Sequence, residues 1–290
     1  MIKKIGLFYE AIKFEHTVFA LPFAYLGMVL AARGLPTLWQ LFWITLAMAG
    51  ARSFAMALNR LIDASQDALN PRTANRALPR KLLKPLEMLL FALVSLAVFA
   101  FSAWALNPLC LALLPVALVF LIGYSYTKRF TWLCHLVLGL ADGIAPIGGW
   151  IAVNPTLSVA NLLPPLLLGL AVAAWVGGFD LVYSCQDVAF DKQMGLHSVP
   201  TRFGIAASLT LSSLAHALTI VLLIIVGLLL HLSLLYWLGL LIAAGLLAYE
   251  HWLVNPKDLS KLNVAFFNMN GYIAVVVFLS TCLAIFIRFP

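Results

Sequence analysis

Residues 51–79 read ARSFAMALNRLIDASQDALNPRTANRALP, and the interpretation of the whole chain starts from this stretch. It begins as the end of an apolar segment and turns polar at Asn59. Asn59, Asp63 and Asp67 follow at four-residue intervals, so on a helix they would lie along one face. Three hard oxygen ligands followed by several arginines suit a site for Mg²⁺ and phosphate. The arginines are Arg72, Arg76 and Arg80.

A second stretch of the same kind, YSCQDVAFDK, follows much later in the chain. Asp187 and Asp191 repeat the four-residue step. Asp180 precedes Asp187 by seven residues, as Arg52 precedes Asn59, and seven residues make about two helical turns. Solvated loops attract Asp, Asn and Arg, but they do not place carboxylates at one-turn spacing twice, each time directly after an apolar helix. We therefore interpret both stretches as functional.

The composition identifies a membrane protein, because 63% of the residues are hydrophobic and only 10% are charged. Apolar segments long enough to cross a bilayer recur along the whole length. They predict an all-α fold, a bundle of nine transmembrane helices. The predicted spans are 16–32, 38–58, 86–106, 109–126, 133–153, 162–183, 206–230, 232–249 and 264–287.

The net charge of +7 raises the question of nucleic-acid binding, but its distribution argues against it. In a nine-span arrangement the loops on one side of the membrane carry only Arg33 and Arg288, whereas nearly all other basic residues lie on the opposite side. This asymmetry is the positive-inside pattern. It predicts a multi-pass protein of the cell (inner) membrane, with the N-terminus in the cytoplasm and Pro290 outside. The opening residues look like an interfacial helix, and no removable signal peptide is predicted. The basic residues of the cytoplasmic side are Lys3, Lys4, Lys13, those of the 60–84 loop, Lys128, Arg129, Lys192, Arg202, Lys257 and Lys261.

The order of the spans places the two acidic stretches on the same side of the membrane. They follow the second and the sixth span, so four crossings separate them. This parity, with the repeated seven-residue step, suggests a tandem repeat of four helices plus a ninth helix. We expect residues 1–290 to form one domain.

Three ionisable residues, Arg52, Asp142 and Asp180, lie within apolar spans or near their ends. Each costs about 2.5–3.5 kcal/mol on insertion scales, so each is a candidate site residue by default. Alternatively, Arg52 snorkels or pairs with an acidic neighbour such as Asp180. For Asp142 the structural interpretation is preferred, although a helix bend beside a cavity would also accommodate it. The six histidines and four cysteines show no metal-ligand or disulfide spacing and are interpreted as structural or interfacial.

The loop YSYTKR after the fourth span holds Lys128 and Arg129. Taken alone, it is typical of an interfacial anchor of aromatic and basic residues. Beside two acidic stretches on the same side of the membrane, Lys128 and Arg129 become candidate phosphate ligands.

These motifs resemble a known family. NRLIDASQD and QDVAFD resemble the first and second aspartate-rich motifs of the UbiA superfamily of intramembrane prenyltransferases, and NPRTANRALP, the TKR loop and the number of spans match as well. One departure is Arg60, where many members have Asp. FEHTVFALPFA and the N-R-x-x-D variant look most like the 4-hydroxybenzoate polyprenyltransferase-like branch, which includes enzymes acting on naphthoate acceptors in menaquinone synthesis.

The resemblance implies an activity and a role for each candidate residue. Mg²⁺ would be held by Asn59, Asp63, Asp67, Asp187 and Asp191. A polyprenyl diphosphate would be contacted by Arg72, Lys128, Arg129 and Lys192. An aromatic acid, 4-hydroxybenzoate or a dihydroxynaphthoate of ubiquinone or menaquinone biosynthesis, would be alkylated beside Arg52, Asp180 and Tyr183. The prenyl tail would lie in an apolar groove that opens towards the lipid bilayer.

Other functions compete with this interpretation. An ion- or proton-coupled transporter could use Arg52, Asp142 and Asp180 as a relay, but transporter sites usually lie near the midplane in broken helices. Here most acidic residues cluster at one membrane edge with basic partners, which favours diphosphate chemistry. A structural membrane subunit would need no matched acidic stretches. A related enzyme could prenylate haem or chlorophyllide instead.

Overall fold

Every regular element in the part of the chain that the structure describes is a helix. The computed structural model covers residues 2–12, 14–262 and 268–287. The α-helices are α1 (Ile2–Ala11), α2 (Phe14–Ala32), α3 (Leu38–Ile62), α4 (Ala64–Leu69), α5 (Pro85–Leu106), α6 (Pro108–Thr127), α7 (Cys134–Val153), α8 (Val159–Tyr183), α9 (Val188–Gln193), α10 (Val199–Phe203), α11 (Ile205–Leu229), α12 (Leu234–Leu253) and α13 (Asn270–Phe286). A 3₁₀ turn, Ser184–Asp187, joins α8 to α9.

Seven of these helices are long and apolar enough to cross a bilayer, namely α3, α5, α6, α7, α8, α11 and α12. Two shorter apolar helices, Leu21–Ala32 within α2 and α13, fall below that length. Each of the nine predicted spans overlaps a helix, so the all-helical, multi-span class is confirmed, whereas the count of nine stays a prediction. Residues 264–267, Arg288 and Pro290 lie outside the described residues.

Helix boundaries follow the local signals in the sequence. The Asn107 side chain accepts a hydrogen bond from the Cys110 amide, and Pro108 occupies the first turn of α6, where its missing N–H costs nothing. Thr37 and Gln40 form a reciprocal capping box at the start of α3. The predicted boundary between the spans 86–106 and 109–126 is therefore confirmed at Asn107-Pro108.

Both acidic stretches are interrupted at an aspartate. α3 ends at Ile62, and Asp63 (φ −94°, ψ 5°) precedes the short helix α4. Asp187 has nearly the same backbone conformation (φ −97°, ψ 1°) and precedes the equally short α9. Asn59 and Asp67 therefore lie on two helices separated by Asp63, and not on one continuous helix as expected. The repeated six-residue helix matches Asp63 with Asp187, so the predicted register, which matched Asn59 with Asp187, was wrong by four residues.

The bundle is tightly packed on one side and hollow on the other. Helices α8, α11, α12 and α13 surround an apolar core that includes Leu168, Val226 and Ala243, all nearly inaccessible. α7 packs closely against α8, because Gly139 has no side chain: a Cβ there would collide with the carbonyl of Ala173. Between α3, α5, α6, α7 and α8 the interior is open, and the candidate site lies there.

Candidate active site

A cavity of about 1370 Å³ runs through the hollow side of the bundle. Its apolar part is lined by residues such as Phe99, Leu114 and Leu166. Its polar part contains Asn59 and Arg72 near the membrane edge and Arg52 two turns deeper on α3. The cavity is therefore polar at one end and hydrocarbon-like along most of its walls, as a binding site for an amphiphile must be.

Four aspartates of the acidic stretches each pair with a basic residue at the membrane edge, and we call these eight residues the edge cluster. All four ion pairs are close, with the nitrogen 2.6 to 3.2 Å from the carboxylate oxygen. The acids and bases thus neutralise one another. The pairs are Asp63–Arg129 (3.2 Å), Asp67–Arg76 (2.6 Å), Asp187–Arg72 (2.7 Å) and Asp191–Lys128 (2.7 Å).

The edge cluster joins segments that are far apart in sequence. Arg72 follows the first acidic stretch and makes a two-point contact with Asp187 of the second, from Nε to Oδ1 (3.0 Å) and from Nη2 to Oδ2 (2.7 Å). This planar fork is the strong form of an Arg–carboxylate pair. The prediction that both acidic stretches emerge on the same face is therefore confirmed.

Burial shapes the protonation of this cluster. Burial raises the pKa of Asp63 above its ordinary value, and the hydrogen bond from Arg129 opposes that rise. For Lys128, burial alone would lower the pKa, but the Asp191 carboxylate outweighs it, so the pKa of Lys128 is raised. The Asp191 side chain is only 1% exposed, and its Oδ1 atom is buried without a hydrogen bond to any described residue. That oxygen therefore lacks a hydrogen-bond partner among the described residues.

The donor chemistry of this region fits Mg²⁺. Among residues 2–12, 14–262 and 268–287 no three acidic, histidine or cysteine side chains are already gathered as a metal site. Yet four carboxylates and the Asn59 amide provide only hard oxygen donors, which Mg²⁺ prefers. The orphaned oxygen of Asp191 is a group that a cation would satisfy. To hold Mg²⁺, these carboxylates would have to exchange their basic partners for metal ions.

Two further contacts between an aspartate and a basic side chain lie at the deeper part of the cavity, and we call them the deep pairs. Arg52 Nη1 lies 3.4 Å from Asp142 Oδ1, and His135 Nδ1 lies 2.6 Å from Asp180 Oδ2. Arg52, Asp142 and Asp180 all line the cavity. The alternative that Asp180 pairs with Arg52 was wrong, because His135 holds Asp180 and Asp142 takes the place beside Arg52. Asp142 also faces the cavity, which the structural interpretation did not anticipate.

Of the remaining residues predicted for the site, Tyr183 and Arg129 lie at the cavity or the edge cluster, and Lys192 does not. Tyr183 lines the cavity, and its hydroxyl accepts a hydrogen bond from Arg72 Nη1 (3.0 Å). Arg129 also donates to the carbonyl of Ile62 (2.6 Å), which fixes it at the end of α3. Lys192 is exposed and makes no ion pair with the described residues.

The sequence did not reveal the roles of three residues of the site. Arg76 was named among the arginines that suit phosphate but was given no individual role, and it belongs to the edge cluster. Arg60 is buried and donates to the Ala11 carbonyl and to Asn59 Oδ1, so this departure from the motif orients Asn59. His135 was grouped with the structural histidines, and no local pattern identifies its contact with Asp180.

Comparison with known proteins agrees with this geometry. Residues 20–272 match the model of the UbiA prenyltransferase family. The chain is similar to the 4-hydroxybenzoate octaprenyltransferase of Aliivibrio fischeri, with 32% identity over 264 residues that cover 90% of each protein. It is 34% identical to the enzyme of the same name from Aeromonas salmonicida, over 88% of this chain and 86% of the relative.

Solved structures share the fold. A UbiA homolog from Aeropyrum pernix K1 superposes with a TM-score of 0.84 at 31% identity, covering 92% of this chain and 96% of the homolog. A UbiA homolog from Archaeoglobus fulgidus, solved with GPP and Mg²⁺ bound, has a TM-score of 0.65 at 17% identity over 93% of this chain and 99% of its own, which shows a common fold alone. This polytopic integral membrane protein therefore belongs to the UbiA prenyltransferase family.

Proposed function

We propose that the protein transfers a polyprenyl group from a polyprenyl diphosphate to 4-hydroxybenzoate, a step of ubiquinone biosynthesis. The observation that carries this proposal is the cavity, which joins a charged cluster at the membrane edge to an arginine in its depth and to long apolar walls. The relatives named 4-hydroxybenzoate octaprenyltransferase support the choice of substrates. A dihydroxynaphthoate of menaquinone biosynthesis is the alternative acceptor that the same site chemistry would suit.

The edge cluster would hold Mg²⁺ and the diphosphate. Asn59, Asp63, Asp67, Asp187 and Asp191 are the proposed metal ligands. Bound Mg²⁺ would neutralise the diphosphate and so favour its departure as a leaving group. Once the carboxylates bind metal, their former partners become free to contact phosphate oxygens by charge-assisted hydrogen bonds. The proposed diphosphate contacts are Arg72, Lys128, Arg129 and Lys192, with Arg76 added from the structure.

The depth of the cavity would hold the acceptor. Arg52 lies about 10 Å below Asn59 by helical rise, too deep to join the edge cluster easily. Its Nε atom is buried and has no hydrogen bond to a described residue, although Nη1 is directed at Asp142. Nε and Nη2 form one side of the guanidinium fork, so a carboxylate of the acceptor could bind there by two hydrogen bonds. Asp180 and Tyr183 would complete the acceptor pocket.

The cavity walls would shield the reaction from water. The C–O bond of the allylic diphosphate breaks, its electron pair leaves with the diphosphate, and the aromatic ring attacks the allylic carbon. An allylic cation is captured by water unless water is excluded, and apolar side chains such as Leu114 and Phe120 make up most of the wall. The polyprenyl tail would extend along this wall towards the lipid.

The finer topology also belongs to this proposal. We propose nine membrane spans in a single domain of residues 1–290, with the N-terminus and the edge cluster in the cytoplasm and the C-terminus outside the inner membrane. The matching backbone of Asp63 and Asp187 supports a repeat of four helices plus a ninth. A C-terminal reporter that is active only in the cytoplasm should be silent, and full activity would mean that the number of spans is wrong by one.

The purified protein in detergent tests the proposed activity. It should be incubated with polyprenyl diphosphates of several lengths, a mixture of 4-hydroxybenzoate and dihydroxynaphthoate, and Mg²⁺. Mass spectrometry should find the mass of one acceptor increased by one prenyl group less one hydrogen. A naphthoate product would reassign the acceptor, and the absence of any prenylated product would contradict the proposed function.

A further inference from the structure

His135 and Asp180 form a contact whose chemistry the proposed reaction has not yet used. His135, near the start of α7, is buried, and its Nδ1 atom lies 2.6 Å from Asp180 Oδ2 on α8. The Asp180 side chain is 23% exposed and lines the cavity. Its Oδ1 atom makes no hydrogen bond to a residue that the structure describes. One carboxylate oxygen is thus held by His135, while the other is free for a molecule in the cavity.

The second ring nitrogen of His135 fixes the position of the proton. The backbone amide of Val199 donates to His135 Nε2 over 3.3 Å. A backbone N–H can only donate, so Nε2 is the accepting nitrogen and the ring proton sits on Nδ1. Nδ1–H therefore donates to Asp180. The Val199 amide fixes the ring tautomer, and the ring in turn orients the Asp180 carboxylate.

The surrounding backbone supports this arrangement from two sides. Val199 is the first residue of α10, whose N-terminus is closed by a capping box between Ser198 and Thr201. The Val199 amide is one of the donors that a helix start leaves without an internal partner, and His135 satisfies it. On the opposite side Gly177 of α8 packs against the His135 carbonyl, so α7 and α8 approach closely at this level.

We propose that His135 positions the Asp180 carboxylate, and that Asp180 accepts the proton that the phenolic acceptor loses during prenyl transfer. This inference rests on the proposed function. As the new bond forms between the allylic carbon and a ring carbon, the C–O bond to the diphosphate breaks and the diphosphate takes the electron pair. The phenol loses its hydroxyl proton to Asp180 Oδ1, so the ring reacts as the more nucleophilic phenolate. In the dienone that forms, the proton on the alkylated ring carbon moves to the oxygen, which restores the aromatic ring and its hydroxyl. The proton on Asp180 passes to water when the product leaves.

The sharpest test compares acceptors of different acidity. Asp180→Asn keeps the shape and an oxygen that can accept from His135, but it removes the base, and kcat should fall about 10²- to 10⁴-fold. With a ring-fluorinated 4-hydroxybenzoate the phenol ionises more easily, so the ratio of wild-type to variant kcat should shrink at least about tenfold. A ratio that stays constant across acceptors would overturn the role of Asp180 as base, because a purely structural defect is indifferent to phenol acidity.

A matched pair of substitutions tests His135. His135→Asn retains an N–H close to the position of Nδ1, whereas His135→Leu has a similar size and no donor. The Asn variant should keep kcat within about threefold of wild type, and the Leu variant should lose at least about tenfold, with the diphosphate KM unchanged in both. Equal kcat values for the two variants would overturn the positioning role.

Two controls separate this inference from folding and from the proposed function. His216 is another buried histidine, bonded to the Trp175 carbonyl and to His251, and it does not line the cavity. His216→Leu should leave the ratio of kcat for 4-hydroxybenzoate to kcat for the fluorinated acceptor at its wild-type value. Binding of the diphosphate gives the amount of folded enzyme in each preparation, and the kcat of each variant is calculated from that amount. A wild-type protein that makes no prenylated phenol contradicts the proposed function, whereas an active wild type with active Asp180→Asn and His135→Leu contradicts this inference alone.

Discussion

The edge cluster and the deep pairs both set aspartates against basic side chains, but they differ in how closely the partners are paired. At the edge every aspartate has its own base, and Arg72 closes on Asp187 with two hydrogen bonds. Both regions hold atoms without a hydrogen bond to a described residue, namely Oδ1 of Asp191 at the edge, and Nε of Arg52 and Oδ1 of Asp180 in the depth. The contact between Arg52 and Asp142 is also the longest of the ion pairs described here, at 3.4 Å.

This difference indicates which ligand each layer can accept. A cluster with equal numbers of paired acids and bases has no net charge, so it does not attract a cation or an anion alone. It can open its ion pairs when metal cations bind the acids and phosphate anions bind the bases. A partly paired arginine can bind a carboxylate without giving up its first partner. We therefore propose that the edge binds two ligands of opposite charge together, and that the depth binds an anionic aromatic acid.

The largest effect is expected from breaking the edge cluster. Asp63→Ala, Asp67→Ala, Asp187→Ala or Asp191→Ala should each reduce prenyl transfer at least about 100-fold, because a metal ligand is lost and a base is left unpaired. EDTA should abolish turnover and excess Mg²⁺ should restore it. Initial rates measured on protein extracted from equal amounts of membrane check this.

The matched control for the edge variants is Asp258→Ala. Asp258 follows α12, is exposed and accepts a hydrogen bond from the Ser260 amide. This substitution should leave the rate unchanged. Wild-type rates of prenyl transfer in Asp63→Ala and Asp191→Ala would contradict the Mg²⁺-dependent mechanism.

A smaller and more selective effect is expected from Arg52→Ala. Losing the guanidinium should raise the acceptor KM about 30-fold or more, the usual loss for a buried hydrogen-bonded charge pair, while the diphosphate KM changes little. Arg52→Lys should rescue poorly, because an ammonium does not reproduce the planar fork. Steady-state kinetics with each substrate varied in turn measure both constants.

Because Arg52→Ala leaves Asp142 without its partner, the double variant Arg52→Ala/Asp142→Ala serves as the control for folding. It should insert into the membrane and keep the diphosphate KM near the wild-type value. Equal increases in both KM values for the single and the double variant would return Arg52 to a purely structural role.

The smallest effect, with the opposite sign, is expected from Asp142→Asn. The Asp142 carboxylate carries the same charge as the proposed acceptor carboxylate and lies beside the same guanidinium, so the two carboxylates repel each other. Removing that charge should lower the acceptor KM about fivefold, which corresponds to about 1 kcal/mol. A rise in the acceptor KM would show instead that Asp142 orients Arg52 for the acceptor, and the kinetics used for Arg52→Ala distinguish the two outcomes.

Sequence alone predicted what depends on local signals. The break at Asn107-Pro108 and the polar ends of α3 and α8 follow from residue type and hydropathy, so the class of fold and both acidic stretches could be identified. The interruptions at Asp63 and Asp187 were missed, because neither residue is a strong helix breaker. They arise where each helix leaves the apolar bundle and its aspartate turns towards a basic partner.

Partner choice could not be predicted, because helical spacing shows which residues share a face but not which helix that face meets. Arg52 and Asp142 are 90 positions apart, and His135 and Asp180 are 45 apart. The close packing of α7 against α8, which small residues such as Gly139 permit, brings His135 to Asp180. A single sequence contains the glycines but does not say which helices they bring together.

The most direct test of the central claim compares two acceptors that differ only in charge. At saturating diphosphate and Mg²⁺, kcat/KM is measured for 4-hydroxybenzoate and for its neutral carboxamide, in the wild type and in Arg52→Ala. The wild type should prefer the acid about 30-fold or more, and Arg52→Ala should use both acceptors almost equally, because the charge that selects the carboxylate is gone. An Arg52→Ala enzyme that is slower but keeps the wild-type preference for the acid would contradict the account.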